Sequence, residues 1–164
     1  MAAPDPDVAR WLSGFSAGSG QALPPHHPRC LGCGPDNPHG HHLQALRDGD
    51  RVRASHVFAE RFVGAPGIAH GGAVATVVDD LLGFLLYVVR EPGVTRHLEV
   101  GYRRPVLLGR RYDFVAELER REGRKLFCRA AATDPDGVVA VEATALFLVV
   151  GREHFQQAGT SVAP

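Results

Sequence analysis

The sequence predicts an α+β domain in which one antiparallel β-sheet wraps around a single long, buried α-helix. Three observations predict it. The stretch from Ala73 to Val89 is apolar almost throughout, interrupted chiefly by Asp79 and Asp80. It is far too long for a strand, so it reads as a helix. Four strand-like runs follow it, at 94–104, 111–121, 124–133 and 138–150, and one precedes it at 51–58. Strands joined largely by hairpins form one antiparallel sheet, and the economical way to bury an all-apolar helix is inside that sheet.

Composition narrows the class. The chain has 164 residues, which fits one domain. Lys plus Arg is 18 and Asp plus Glu is 18, so the net charge is zero. A nucleic-acid binder of the electrostatic kind needs a basic surplus that is absent here. A hydrophobic share of 45% is ordinary for a globular protein. Three cysteines, an odd number, argue against a disulfide-stapled secreted scaffold. The N-terminus MAAPDPDVARWLSGF lacks the basic-then-apolar order of a secretory signal. The apolar stretch is short for a membrane span and holds two adjacent carboxylates. A cytoplasmic protein with no membrane and no nucleic-acid partner is the expectation.

The elements follow in order. Residues 1–29 are rich in Pro, Gly and Ser and read as a flexible N-terminal arm that docks Trp11 on something apolar. Residues 30–152 hold the folded domain, and 153–164 read as a disordered tail. Residues 30–45 are an ordered loop dense in glycine and proline. In 51–58, Val52, Ala54, His56 and Phe58 alternate with Arg51, Arg53, Ser55 and Val57, as on a half-buried strand. Residues 61–72 form a second Gly/Pro loop. The helix runs from Gly71 to about Arg90, roughly 30 Å, apolar on nearly all faces and stopped by Pro92-Gly93.

Two features of that helix carry chemistry. Asp79 and Asp80 lie two turns into it, and burying an ionised carboxylate is costly unless it is paired or wet. One reading leaves one acid solvated at a groove and pairs the other with an arginine. The other reading takes a cleft to the helix and uses a carboxylate as general base or nucleophile. At the helix start, His70-Gly71-Gly72 leaves first-turn amides open at the positive end of the dipole, suited to an oxyanion. Tight packing of the helix start on the sheet explains the glycines equally well. Gly71 and Asp79 are about 12 Å apart along the axis, so one acyl carbon cannot touch both. If they serve one reaction, they come from different chains of a twofold dimer.

The segment Gly64-Ala-Pro66-Gly67-Ile-Ala-His70-Gly71-Gly72, with Asp79 nine residues after the histidine, resembles the signature of hotdog-fold acyl-CoA thioesterases. The branch it is most similar to includes the phenylacetyl-CoA and 4-hydroxybenzoyl-CoA enzymes. Cys30-Leu-Gly-Cys33-Gly-Pro-Asp-Asn37-Pro-His-Gly40 and Gly101-Tyr-Arg-Arg-Pro105 resemble further family segments, so the likeness covers roughly residues 30 to 150. It implies a hydrolase of a coenzyme A thioester, acting as a homodimer or dimer of dimers, with acyl-CoA as substrate and no other cofactor. It implies catalytic roles for Asp79 as base or nucleophile, the Gly71 amide as oxyanion donor, His70 beside the thioester and Thr95 in positioning water. It implies substrate contacts from Gly72, Gly64, Pro66, Gly67, Asn37, Arg103 and Arg104. Val63 and Gly64 depart from the pattern, standing where some members carry Asn or Gln. A non-catalytic acyl-CoA or acyl-carrier binding protein on the same fold is the alternative, and a hydroxyacyl thioester dehydratase ranks third.

Other residues admit two readings each. Arg103-Arg104 and Arg110-Arg111 bracket one turn and suit either coenzyme A phosphates or solvated strand ends. Phe84, Leu85 and Tyr87 suit an acyl tunnel or plain core. Cys30 and Cys33, with His26, His27, His39, His41 and His42 nearby, suit a zinc site or the packing of small sulfur side chains. The histidines are crowded rather than spaced, so no metal is expected. Cys128, in a strand, reads as core.

Overall fold

The computed structural model describes residues 6–155. The part of the expected tail at 156–164 lies outside the described residues, as do residues 1–5. A six-stranded antiparallel sheet takes the order β1 (Ala45–Asp48), β2 (Arg51–Val57), β6 (Arg111–Glu122), β7 (Lys125–Thr133), β8 (Val139–Val149) and β5 (Gly93–Tyr102). A small hairpin, β3 (Val63–Ala65) with β4 (Ile68–Ala69), sits apart from it. Helix α1 (Pro6–Ser13) leads the chain, and α2 (Gly71–Gly83) and α3 (Leu85–Val89) follow β4. The sheet around one long helical rod is the architecture that the sequence predicts.

The sheet curls because its inner face is small where the helix lies closest. Ala116, Ala130, Ala132, Ala143 and Ala145 are all buried on that face, each within a strand of alternating burial. Small side chains let helix and sheet approach, and Val74, Val77, Val78, Leu81, Leu82 and Leu85 of the helix fill the space. Leu81 and Val77 are wholly inaccessible. Each such side chain contributes about 1.5–3 kcal/mol of transfer free energy.

Several boundaries differ from the sequence reading. The helix is not continuous: Phe84 separates α2 from α3 and gives its N–H to both Asp80 and Leu81 carbonyls. Arg90, in the left-handed conformation at φ 62°, ends α3 before Pro92 is reached. Strand β1 starts where the 30–45 loop was expected to be ending, and turns into β2 through Gly49, at φ 61°. The loop at 61–72 contains the β3–β4 hairpin. Its Pro66-Gly67 corner has Gly67 at φ 74°, the proline–glycine chemistry of a type II turn. Nor is the helix buried on all sides. Gly71 and Gly72 are exposed, and Ala75, Thr76 and Asp79 are half-buried, so one stripe of α2 faces out of the single chain. By length and hydropathy Gly71–Val89 resembles a membrane span, but more than half of it is enclosed by the protein.

The segment before β1 is tied to this frame. Gly20 and Leu23 donate to the carbonyls of Arg47 and Ala45, covering the outer edge of β1. Trp11 meets Phe15 edge-on at 5.2 Å, and Phe15 meets Tyr87 at 5.1 Å. Gly14 lies so near the Tyr87 ring that a Cβ there would come within 2.6 Å of it. The opposite edge of the sheet is β5, half of whose residues are exposed.

Candidate active site

The helix start is built by His70. Its backbone is extended and its Nδ1 accepts the Gly72 N–H at 2.9 Å, the N-cap of α2. An accepting Nδ1 leaves the ring proton on Nε2. This bond uses the Gly72 amide. The Gly71 N–H has no acceptor among the described residues, and the Gly71 carbonyl accepts the Tyr102 hydroxyl at 2.6 Å. One exposed amide at the positive end of α2 is therefore what the two glycines present.

Asp79 lies two turns along the outward-facing stripe. Thr95 Oγ1 donates to its Oδ1 at 3.0 Å. Burial raises the Asp79 pKa above the ordinary carboxylate value, and the Thr95 hydrogen bond works against that rise. Thr95 reaches Asp79 from β5, where the register against β8 slips between Thr95 and His97. A bulge of this kind re-aims a side chain. Within one chain, Asp79 meets Thr95 but not Gly71, because eight residues of helix separate them by about 12 Å.

Gly64 has a packing reason to lack a side chain. A Cβ there would come within 2.6 Å of the His70 Cα, so Asn or Gln has no room at this position. Pro66 and Gly67 form the exposed tip of the hairpin, and the Gly67 carbonyl accepts from Leu108 at 3.0 Å. Asn37 is used within its own loop. It donates to the Arg29 carbonyl at 3.2 Å and accepts from the His39 amide at 3.0 Å. Arg103 pairs with Glu142 at 2.7 Å, whereas the Arg104 guanidinium has no partner among the described residues. Arg103, Arg104, Tyr102 and Val74 line an open groove of about 380 Å³ beside the helix start. Arg110 and Arg111 do not join them: Arg110 holds Asp134 and Asp136, and Arg111 holds Asp113 and Ser55. The basic cluster read from sequence is therefore split, because carboxylates in neighbouring turns and strands claim three of its four arginines and leave Arg104. Phe84, Leu85 and Tyr87 are closed into the core rather than lining a tunnel.

Two partnerships were not read from the sequence. Tyr102 belongs to the helix start, a contact that only the path of β5 decides. Asp80 turns to the other side of α2, where its partners are His26 Nδ1 at 3.1 Å and Cys30 Sγ at 3.2 Å rather than an arginine. Burial raises the Asp80 pKa, and His26 opposes that rise.

Residues 66–141 match the family described as the thioesterase superfamily. The acyl-coenzyme A thioesterase THEM4 of Xenopus laevis is 37% identical over 87 residues, which cover 52% of this chain and 39% of that protein. The chain thus spans about two fifths of the length of this curated relative. A solved thioesterase superfamily protein is 30% identical, with a TM-score of 0.65, over 70% of this chain and 60% of that one. A Streptococcus mutans protein solved with bound acetyl CoA shares the fold at 17% identity and a TM-score of 0.63, over 66% of this chain and 89% of that one.

Proposed function

We propose that this chain, whose residues 66–141 match the thioesterase superfamily, hydrolyses an acyl-CoA thioester to a free acid and coenzyme A. The observation that carries the proposal is Asp79. It is a half-buried carboxylate on the open stripe of a helix whose other faces are core, and a threonine hydroxyl holds it at 3.0 Å. A carboxylate so held can take a proton from water or attack the thioester carbonyl itself. An amide such as that of Gly71 stabilises the oxyanion that either route creates. His70 fixes the first turn of α2 and so orients that amide. The thioester C–S bond then breaks, and the sulfur leaves with a proton as coenzyme A thiol.

In this proposal the site is shared between two copies. The 12 Å between Gly71 and Asp79 supports this, and the outward-facing stripe of Gly72, Ala75, Thr76 and Asp79 offers a second helix a close approach. Small residues there leave room for a neighbouring backbone, and the exposed β5 edge lies beside them. Arg104, unpaired at the groove beside the helix start, suits the phosphates of coenzyme A.

The test is thiol release from a panel of aliphatic and aromatic acyl-CoAs. Wild type should turn over at least one of them, and Asp79→Ala should lose that turnover. Acyl-CoA binding without hydrolysis in wild type would replace the enzyme with a binding protein on the same fold. Sharing between copies is read by mixing two inactive variants. Gly71→Pro removes the amide proton while proline remains tolerated at a first helical position. If the site is composite, equal mixing of Gly71→Pro with Asp79→Ala restores about a quarter of wild-type activity, since half the dimers carry one intact site of two. No recovery after confirmed subunit exchange would refute the shared site.

A further inference from the structure

The second acid of the helix, Asp80, stands in a cluster that the proposed hydrolysis does not use. His26, Cys30, Cys33 and Asp80 each offer one ligand atom, and these atoms all lie within 4.8 Å of one another. We propose that these four side chains bind one zinc ion, which fastens the loop at 26–33 to α2 one residue beyond Asp79.

The geometry supports a tetrahedral ion. Zinc bonds of about 2.0–2.3 Å place neighbouring ligand atoms roughly 3.3–3.8 Å apart. His26 Nδ1 lies 3.1 Å from Asp80 Oδ1, Cys30 Sγ lies 3.2 Å from the same oxygen, and Cys33 Sγ lies 3.4 Å from His26 Nδ1. These three edges need a few tenths of an ångström of expansion to admit the ion, and the other ligand atoms, all within 4.8 Å of one another, close by at most about 1 Å onto it. Two sulfurs and an imidazole are soft and borderline donors, which select zinc over calcium or magnesium. Four protein ligands leave no open position, so the site is structural rather than catalytic.

The surroundings are built for the same purpose. The His26 amide donates to Cys33 Sγ at 3.2 Å. Bonds of this kind stabilise thiolates and orient them. Gly32 presses on Asp80 so closely that a Cβ would run into the carboxyl group, and a Cβ on Gly34 would run into the Cys30 backbone. The His26 ring is fixed between Phe84, at 4.3 Å, and Tyr87, at 5.5 Å. Asp80 is buried, its Oδ2 has no partner, and neither lysine nor arginine pairs with it among the described residues. A buried carboxylate in that position is stabilised by a cation. The sequence alone favours packed sulfur side chains, because the fourth ligand lies some fifty residues away on another element and His26 is one of several nearby histidines.

Metal content needs no substrate, so this test fails or succeeds independently of the hydrolysis assay. Tag-free protein, purified without chelator, should carry one zinc per chain by inductively coupled plasma mass spectrometry. Replacement by Co(II) should give thiolate-to-cobalt charge-transfer bands and the visible spectrum of a tetrahedral ion. Cys33→Ser and Asp80→Ala should lose the metal, and His39→Ala, in the same loop but outside the cluster, should keep it. A strong chelator should lower the Tm of wild type and leave that of Asp80→Ala unmoved. If the two ligand variants do not fold, the wild-type stoichiometry and cobalt spectrum still decide. Wild type that purifies free of metal and gives no cobalt bands would overturn the proposal. So would a Cys30–Cys33 disulfide found by mass spectrometry, or zinc retained in both ligand variants.

Discussion

Acidification should destabilise this protein through two neutral histidines, His41 buried and His56 half-buried. His41 comes from the loop before β1 and His56 from the inward face of β2, and His41 Nδ1 lies 3.3 Å from His56 Nε2. His41 stacks on Phe62 at 3.9 Å, and both rings stand edge-on to the fully buried Phe58. Burial, with nearby Arg61 and His42, lowers the His41 pKa from 6.5 to about 4. Burial, with His41 and Arg61, lowers that of His56 to about 4. Both folded values lie below the unfolded one, so the unfolded chain binds more protons between them. The stability that neutral rings supply is present above pH 6.5 and is lost as the pH falls toward 4. Between pH 7 and 5 an unfolded ring gains about 1.9 kcal/mol from protonation, and a folded ring with the lowered value gains almost nothing. Two rings give an upper figure near ~4 kcal/mol, and solvent access to the partly exposed His56 reduces it to about 2 kcal/mol. For a chain of this length that is a Tm fall of about 4–8 °C. Urea unfolding at pH 7, 6 and 5 measures it, in wild type and in His56→Gln, which removes one titrating ring. Wild type should lose stability faster than the variant as the pH falls, so whatever advantage it holds at pH 7 narrows by pH 5. Equal stability of wild type at pH 7 and 5, or the same pH slope in the variant, would refute the reasoning.

Two further outcomes follow from the site. Thr95→Val removes the hydrogen bond to Asp79 and should lower kcat about 10- to 100-fold with KM little changed, as steady-state kinetics on the best acyl-CoA will read; a charge-assisted bond of about 1.5–3 kcal/mol sets that scale. Gly64→Ala drives a Cβ into the His70 backbone and should cost about 1–3 kcal/mol in urea unfolding, with lost turnover because the first turn of α2 moves.

Much of the fold was legible because period-2 alternation and a long apolar run are local signals. The strands from Val94 onward and the start of the helix at Gly71 follow from them. Strand β1 was not legible: Ala45–Asp48 is short, and it is held by β2 on one side and the Gly20–Leu23 backbone on the other. The break at Phe84 carries one local signal, Gly83 just before it, which the apolar run around it masks. In the site, Asp79, Gly71 and His70 are marked by their spacing on one element. Thr95 meets Asp79 only through a bulge in β5, and Gly64 is glycine because the His70 backbone, six residues on, folds back against it rather than because of chemistry.

The sequence by itself determined that one helix must be enclosed by a sheet and that two carboxylates interrupt it. Apolar periodicity is enough for that, because burial is proportional to area and each residue contributes on its own. Which way each acid faces was decided by tertiary structure. Successive helical residues point about 100° apart, so neighbours in the sequence meet different surroundings. Asp79 looks outward along the stripe of small residues and is held by Thr95, while Asp80 looks inward to a histidine and two cysteines from a loop some fifty residues earlier. Hydrogen bonding and metal coordination act over about 2–3.5 Å, and only the folded chain brings such distant residues that close.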